Sequence, residues 1–421
     1  MVEKLSGVYS QIDIGGFTPD IAVSRGAVAV VGHMLSGTAV SGSDKFSSAN
    51  AFGTIYTFTS IVEAKATLGD ASSIASGSTW YNGTFGSGAV AGYDAENNLI
   101  RALELVYKGN PRAKCYVAVL SGTGTDAKTT PNGTAEALAE LMKKDDIEFI
   151  TPAGLEYNST YLTHATSSDA DANQAERIYV GGLSLNEAYS GSTDLNKTNV
   201  FEVSAYSSLS EDDGRSICFI GNANHQFQTG WSSGSVVEAT KEIGGNWLGN
   251  FMAGYLSAYT EQVSLLNKGV VGYLPVYNGK PKIWSSTELE TNYDNSMMSI
   301  RYTASNSPQY YFEKAMTLSP KTSAWQKITR RRIIDRALKE GRAILNAEKG
   351  NPNIASRRRA INDRLRRKLQ DLLEEGLLTG SVSSTVYVTG SDASNGILRA
   401  NFNVTPVGEI EEVRLTVGVL L

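Results

Sequence analysis

The sequence predicts a multidomain protein of mixed α/β and α+β class. A large α/β region is followed by a small α+β C-terminal unit, with an extended arm at the N-terminal end and a strand at the C-terminal end. Apolar strand-like runs alternate with helical patterns up to residue 235, and two amphipathic helices precede the last strands. The 421 residues exceed the roughly 250 to 300 at which one core stops growing.

Both ends carry strand-like segments whose apolar residues alternate with period two, as in a half-buried strand. The alternating segments contain Val8, Tyr9, Ile12, Ile14, Val413, Leu415, Val417 and Val419. Gly15 and Gly16 separate the first segment from the rest of the chain. A strand with unpaired edges needs a partner, either within its own domain, which is the commoner arrangement, or in the sheet of a neighbouring subunit. The sequence leaves both pairings open.

The α/β region reads as alternating elements bounded by Gly, Ser, Asn and Asp clusters. Buried strands are predicted at 26–32, 114–120, 147–151, 177–180, 200–205 and 216–220, and helices at 60–68, 96–107 and 134–143. Residues 236–259 read as a helix despite four glycines, and 273–284 as strand, turn and strand around Asn278-Gly279. This alternation favours a largely parallel sheet.

The C-terminal unit is strongly basic. Helices are predicted at 323–348 and 354–375, broken by Gly350-Asn351-Pro352, with strands at 385–388, 398–405 and 413–420. Residues 321–368 carry about +12 and the rest of the chain about −17. Such asymmetry indicates a partner with an acidic surface, which could be nucleic acid, another protein or a neighbouring copy, or else two solvated helix faces. The candidate contact residues are Arg330, Arg331, Arg332, Arg357, Arg358 and Arg359.

No motif points to catalysis. Residues 230–234 match G-x-S-x-G, but the nucleophile elbow needs a later histidine, and all three histidines precede Ser232. No phosphate-binding loop occurs, and the histidines and cysteines lack metal-ligand spacing. Cys115 and Cys218 lie in apolar runs and are predicted to be buried free thiols. We therefore expect a protein that is not an enzyme and holds no cofactor or metal.

Targeting and nucleic-acid signals are weak as well. The first residues lack the apolar segment of a signal peptide, and no run of eighteen apolar residues occurs, so we expect the protein to be made in the cytoplasm. Aromatic residues for base stacking are sparse between Arg330 and Lys368. The alternative function is therefore that of a nucleic-acid-binding protein, in which residues 321–368 contact phosphates by charge alone.

Taken together, these segments resemble the tail sheath proteins of contractile-tailed bacteriophages and related contractile injection systems, including R-type pyocins. The matching segments are Gly7-Val8-Tyr9, Ala29-Val30-Val31-Gly32, Phe52-Gly53 or Leu68-Gly69, the helix and strand of residues 98–120, Asp146-Ile147 with Thr151-Pro152-Ala153-Gly154, and residues 330–376 with the terminal strands. The resemblance spans nearly the whole chain.

The resemblance implies a virion structural protein that polymerises as rings or a helix around an inner tail tube and contracts to drive the tube through the target cell envelope. It implies an arm at 1–24 that is donated to a neighbouring subunit, an outer domain at 25–235 and an inner domain at 236–421. The inner domain would accept strands from two neighbours. The implied partners are other copies, the tube, the baseplate and the tail terminator, without membrane or direct nucleic-acid contact, and assembly takes place in the host bacterial cytoplasm.

Overall fold

A computed structural model describes fifteen stretches of the chain. These are residues 26–33, 54–68, 98–120, 133–155, 157–168, 175–183, 214–232, 235–266, 268–270, 274–277, 280–281, 283–303, 309–312, 314–388 and 398–408. The N-terminal arm, the strand candidate at 200–205 and the terminal strand at 413–420 lie outside them. The eight residues predicted to be exchanged between subunits therefore stay predictions.

A six-stranded sheet forms the centre of the molecule. Its strands are β1 (Ala27–His33), β2 (Ile55–Phe58), β3 (Cys115–Leu120), β4 (Ile147–Pro152), β5 (Ile178–Leu183) and β6 (Ser216–Ile220). Their order is β2-β3-β1-β4-β5-β6, and all neighbours are parallel except β2, which runs antiparallel to β3. The predicted α/β layer with a largely parallel sheet is confirmed.

Helices cover both faces of this sheet. They are α1 (Ile61–Leu68), α2 (Asn98–Gly109), α3 (Thr134–Met142), α4 (Ser159–Ser168) and α5 (Gly245–Ser257). Helices α1, α2 and α5 pack with Val28 and Val30 on one face, and α3 and α4 pack with Ala29 and Val31 on the other. Because both faces are buried, the strands read as continuous apolar runs rather than alternating ones.

The single helix predicted for 236–259 is wrong in its first third. Strand β8 (Ser235–Ile243) pairs antiparallel with β7 (Asn222–Ser232), and α5 begins only at Gly245. β9 (Leu274–Tyr277) adds to β7 and pairs with the short β10 (Lys280–Pro281), as the strand-turn-strand pattern predicted. Within the G-x-S-x-G motif, residues 230–232 are the last residues of β7.

The predicted domain boundary at 235/236 falls within strand β8 of that hairpin. Helix α5 lies beyond the boundary yet packs on the central sheet. Its glycines allow this packing: a Cβ on Gly245 would lie 1.8 Å from the Leu183 carbonyl oxygen, and one on Gly254 would lie 2.1 Å from the Val106 carbonyl oxygen. The glycines that weaken the helical pattern in sequence are thus sites of close backbone approach.

Three further elements precede the basic helices. Helix α6 (Ser286–Asp294) begins with a capping box between Ser285 and Glu288, and its Leu289 joins the core beside α3 and α4. Strands β11 (Ile300–Thr303) and β12 (Gln309–Phe312) form an antiparallel pair. The sequence patterns did not predict these elements.

The C-terminal unit consists of two helices and a hairpin. Helices α7 (Ile328–Asn346) and α8 (Ala355–Glu374) precede strands β13 (Leu378–Tyr387) and β14 (Arg399–Pro406). Helix α7 starts later than predicted because Ala324–Gln326 form a separate short helix, in which Ser323 Oγ accepts a hydrogen bond from the Trp325 amide. The unit has its own small core of Ile333, Ala337, Leu369, Leu372, Leu377 and Leu378.

Candidate assembly surfaces of the C-terminal unit

No described strand pairs with the outer edges of the β13–β14 hairpin. The strands pair antiparallel from Leu378↔Pro406 to Tyr387↔Arg399, with an irregularity at Gly380, which has a φ of +75°. In the part of the chain that the structure describes, this sheet contains only these two strands. The outer edge of each strand therefore presents backbone amides and carbonyls to which another strand can pair.

One face of the hairpin is supported and the other is exposed. Val382, Phe402 and Val404 pack on the small core, and Ser384 Oγ donates to Asn362 Oδ1 on α8 at 2.9 Å. The opposite face carries the exposed polar residues Ser381, Ser383, Thr385, Asn401, Asn403 and Thr405. A two-stranded sheet is marginally stable alone, so packing against the helices stabilises this one.

Helix α7 docks against the α/β body at the amino ends of the parallel strands. Arg332 Nε donates to Glu148 Oε1 on β4 at 2.6 Å, and its two amino groups donate to the carbonyls of Tyr259 at 2.8 Å and Thr260 at 3.3 Å. Its guanidinium also lies 5.2 Å from the centre of the Phe149 ring. One arginine thus joins α7 to β4 and to the segment directly after α5.

Further ion pairs extend this junction. Asp335 binds Arg215 at 2.6 Å and Arg331 at 3.4 Å, and both Arg215 and Asp335 are buried. Arg342 pairs with the buried Glu176. Glu176 and Asp335 also line a cleft of about 460 Å³, together with Glu148 and Arg332. The junction therefore includes several buried or partly buried ion pairs.

The six arginines predicted to face a partner separate into two groups. Arg331 and Arg332 are buried, with 6% and 4% exposure, and they pair with carboxylates of their own chain. These two side chains are therefore covered by their own chain. Arg330 and Arg359 are exposed, and Arg357 and Arg358 are partly exposed. Carboxylates of the same chain thus pair with part of the basic run for which the sequence predicts an acidic partner.

The turn between α7 and α8 is organised by one carboxylate. Glu348 accepts from Arg357 Nε at 2.7 Å and also pairs with Arg364. These hydrogen bonds lower the pKa of Glu348 to about 2. A cleft of about 390 Å³ opens beside this turn and reaches Leu398, at the start of β14.

Open α/β sheets usually bind ligands at the carboxyl ends of their parallel strands, and α5 contacts the carboxyl end of β4. Asn250 Nδ2 donates to Thr151 Oγ1 at 3.0 Å and to the Pro152 carbonyl at 2.7 Å, and Asn246 Nδ2 donates to the Gly154 carbonyl at 2.7 Å. The polar groups at this edge of β4 are thus used to hold a helix.

His164 and the two cysteines are buried in the described part of the chain. His164 Nε2 lies 2.9 Å from Arg177 Nη1, and burial, together with the arginine's charge, lowers its pKa to about 3. Cys115 and Cys218 are buried free thiols as predicted, and burial raises the pKa of Cys115 to about 12. Within the described stretches, no cluster of three or more His, Cys, Asp or Glu could hold a metal. No described helix is long and apolar enough to cross a membrane.

Comparison with known proteins identifies the fold. No protein-family model and no curated protein sequence matches the chain. A chain of the anti-feeding prophage baseplate superposes with a TM-score of 0.62 at 12% identity, covering 100% of both chains. The contracted PVC sheath complex of an extracellular contractile injection system gives 0.61 at 14% identity, covering 99% of this chain and 98% of that one.

A third similar structure is the sheath tail protein of Desulfitobacterium hafniense, with a TM-score of 0.53 at 10% identity over 95% of this chain and 100% of that one. The resemblance to tail sheath proteins that the residues suggested is therefore confirmed for the fold, along the whole chain.

Proposed function

We propose that this chain, which has the fold of contractile tail sheath proteins, is a structural subunit of such a sheath. Copies polymerise around an inner tail tube and contract to drive the tube through the target cell envelope. The observation that carries the proposal is the whole-chain similarity to sheath structures, together with a C-terminal hairpin whose two outer edges are open in the described part of the chain.

Strand exchange would link the copies. The segments around Val8–Ile14 and Val413–Val419 of neighbouring copies would pair with the outer edges of β13 and β14. A strand of six residues offers four to six backbone hydrogen bonds, each worth about 1 kcal/mol net, in addition to side-chain burial on alternate positions. Such links would persist while weaker surface contacts are exchanged during contraction.

The exposed arginines would make the weaker contacts. Arg330 and Arg357–Arg359 would face acidic surfaces of the tube or of adjacent copies, and pairs of exposed charges are worth about 0 to 1 kcal/mol each and are screened by salt. Contraction would be driven by new contacts in the shorter state, without a catalysed reaction. The particle would assemble with baseplate and terminator proteins in the host bacterial cytoplasm.

The alternative, a nucleic-acid-binding protein that uses residues 321–368, is less well supported. Arg331, Arg332, Arg336 and Arg342 are engaged with carboxylates of the same chain. Fewer cations are then available to neutralise phosphates than the sequence count suggests.

Negative-stain electron microscopy of the purified protein, with and without residues 1–14, tests the proposal. We expect hollow cylinders or rings from the full chain and only small particles from the shortened chain, with equal circular dichroism spectra showing that both fold. Small particles from the full chain, both alone and with a co-expressed tube protein, would refute the sheath function. Cylinders that survive the deletion would refute exchange through the N-terminal arm.

A further inference from the structure

The cleft beside the α7–α8 turn is basic at its rim and apolar at its floor. We call it the basic cup and define it by Lys349, Arg357, Arg358, Leu345, Ile361 and Leu398. Its volume is about 390 Å³, which is large enough for a few side chains of a peptide. Arg357 donates to Glu348, whereas Lys349 is exposed and, among the described residues, Arg358 donates to the carbonyl and side-chain oxygens of Asn353. The cup therefore has a net positive charge.

A segment of the chain itself has the complementary pattern. Residues 409–412 read Glu409-Ile410-Glu411-Glu412 and stand directly before the predicted terminal strand at 413–420. Three carboxylates suit the basic rim, and one isoleucine suits an apolar floor.

The geometry of the hairpin prevents residues 409–412 from reaching the basic cup of their own chain. The cup adjoins Leu398, at one end of β14, and the chain leaves β14 at the other end, near Gly408. The eight residues of β14 span roughly 26 Å at about 3.3 Å per residue. Residues 409–412 extend at most about 14 Å beyond Gly408, because an extended residue spans no more than about 3.6 Å. Any such segment in the cup must come from another copy.

We propose that the basic cup binds residues 409–412 of a second copy, as an electrostatic anchor for the exchanged terminal strand. This inference rests on the proposed sheath function. It assigns Arg358 and Lys349 to a neighbouring subunit rather than to the tube. It also fixes a direction: the strand that begins after residue 412 runs from the Tyr387–Arg399 end of the hairpin toward the Leu378–Pro406 end, antiparallel to β13 and parallel to β14.

A labelled peptide of residues 407–421 tests the proposal by fluorescence anisotropy with the full chain, below the concentration at which particles form. The variant K349E/R358E should bind it about tenfold more weakly or worse, because like charges then face each other. A peptide with E409K and E411K should lose binding to the wild type and regain it with K349E/R358E. The variant R366E/R367E, which reverses two exposed arginines of α8 outside the cup, is the matched control and should bind as the wild type does.

Equal binding by the wild type and K349E/R358E, or no binding of the peptide to the wild type, would overturn the anchor. Neither result bears on the proposed sheath function, because the formation of cylinders in electron microscopy tests that function separately. If K349E/R358E and R366E/R367E weaken binding equally, the peptide is attracted by general charge and the cup has no specific role, which also overturns the proposal.

Discussion

Replacement of Arg332 by alanine should destabilise the whole chain strongly. The Arg332 side chain is 3% exposed, and it joins α7 to Glu148 on β4 and to two carbonyls after α5. Removing it leaves Glu148, which is 16% exposed and lines the cleft beside α7, without this ion pair. Breaking one side of a buried ion pair costs about 3 to 5 kcal/mol, so we expect a loss of that size in the free energy of unfolding.

The neighbouring Arg330 provides a matched control. It lies on the same turn of α7 but is exposed, so R330A should change the free energy of unfolding by no more than about 0.5 kcal/mol. Urea titration followed by the fluorescence of the five tryptophans measures both variants. The double variant R332A/E148A should lose less free energy of unfolding than R332A and E148A lose in sum, because the two side chains share one interaction. A variant R332A that is at least as stable as R330A would contradict the structural role of Arg332.

Two further perturbations are expected to have measurable effects. Gly254→Ala should lower the free energy of unfolding by about 1 to 3 kcal/mol, because its Cβ would meet the Val106 carbonyl oxygen at 2.1 Å, whereas Gly408→Ala, whose Cβ would have no described residue within 4 Å, should be neutral in the same urea titration. For Glu348 the native pKa of about 2 lies below the ordinary 4.5, so its contribution to stability is complete above pH 4.5 and is lost as the pH falls toward 2. E348Q should therefore be less stable than the wild type at pH 7, and this difference should shrink as the pH falls and disappear only below pH 2; a difference that does not change with pH would contradict the ion pairs seen at the α7–α8 turn.

Much of the fold can be predicted from local patterns. The buried strands β1, β3, β4, β5 and β6 were predicted from apolar runs bounded by turn residues, and α2, α3 and α8 from helical spacing. Elements with weak or short patterns, such as α4, α6, β11 and β12, were not predicted, since their burial depends on segments distant in sequence. The strand β8 was assigned to a helix because its pairing with β7 is not visible in the local pattern.

The sequence alone determined the class of the fold, the strong charge of the C-terminal unit and the absence of a recognisable catalytic motif, because composition and short-range periodicity express these properties directly. Tertiary structure decided which side of α7 meets the α/β body. Arg330 and Arg332 are neighbours in a basic run, yet one is exposed and the other buried against Glu148. A helix in isolation presents every arginine to solvent, and only packing against a second surface selects those that become part of the structure and those that stay available for a partner.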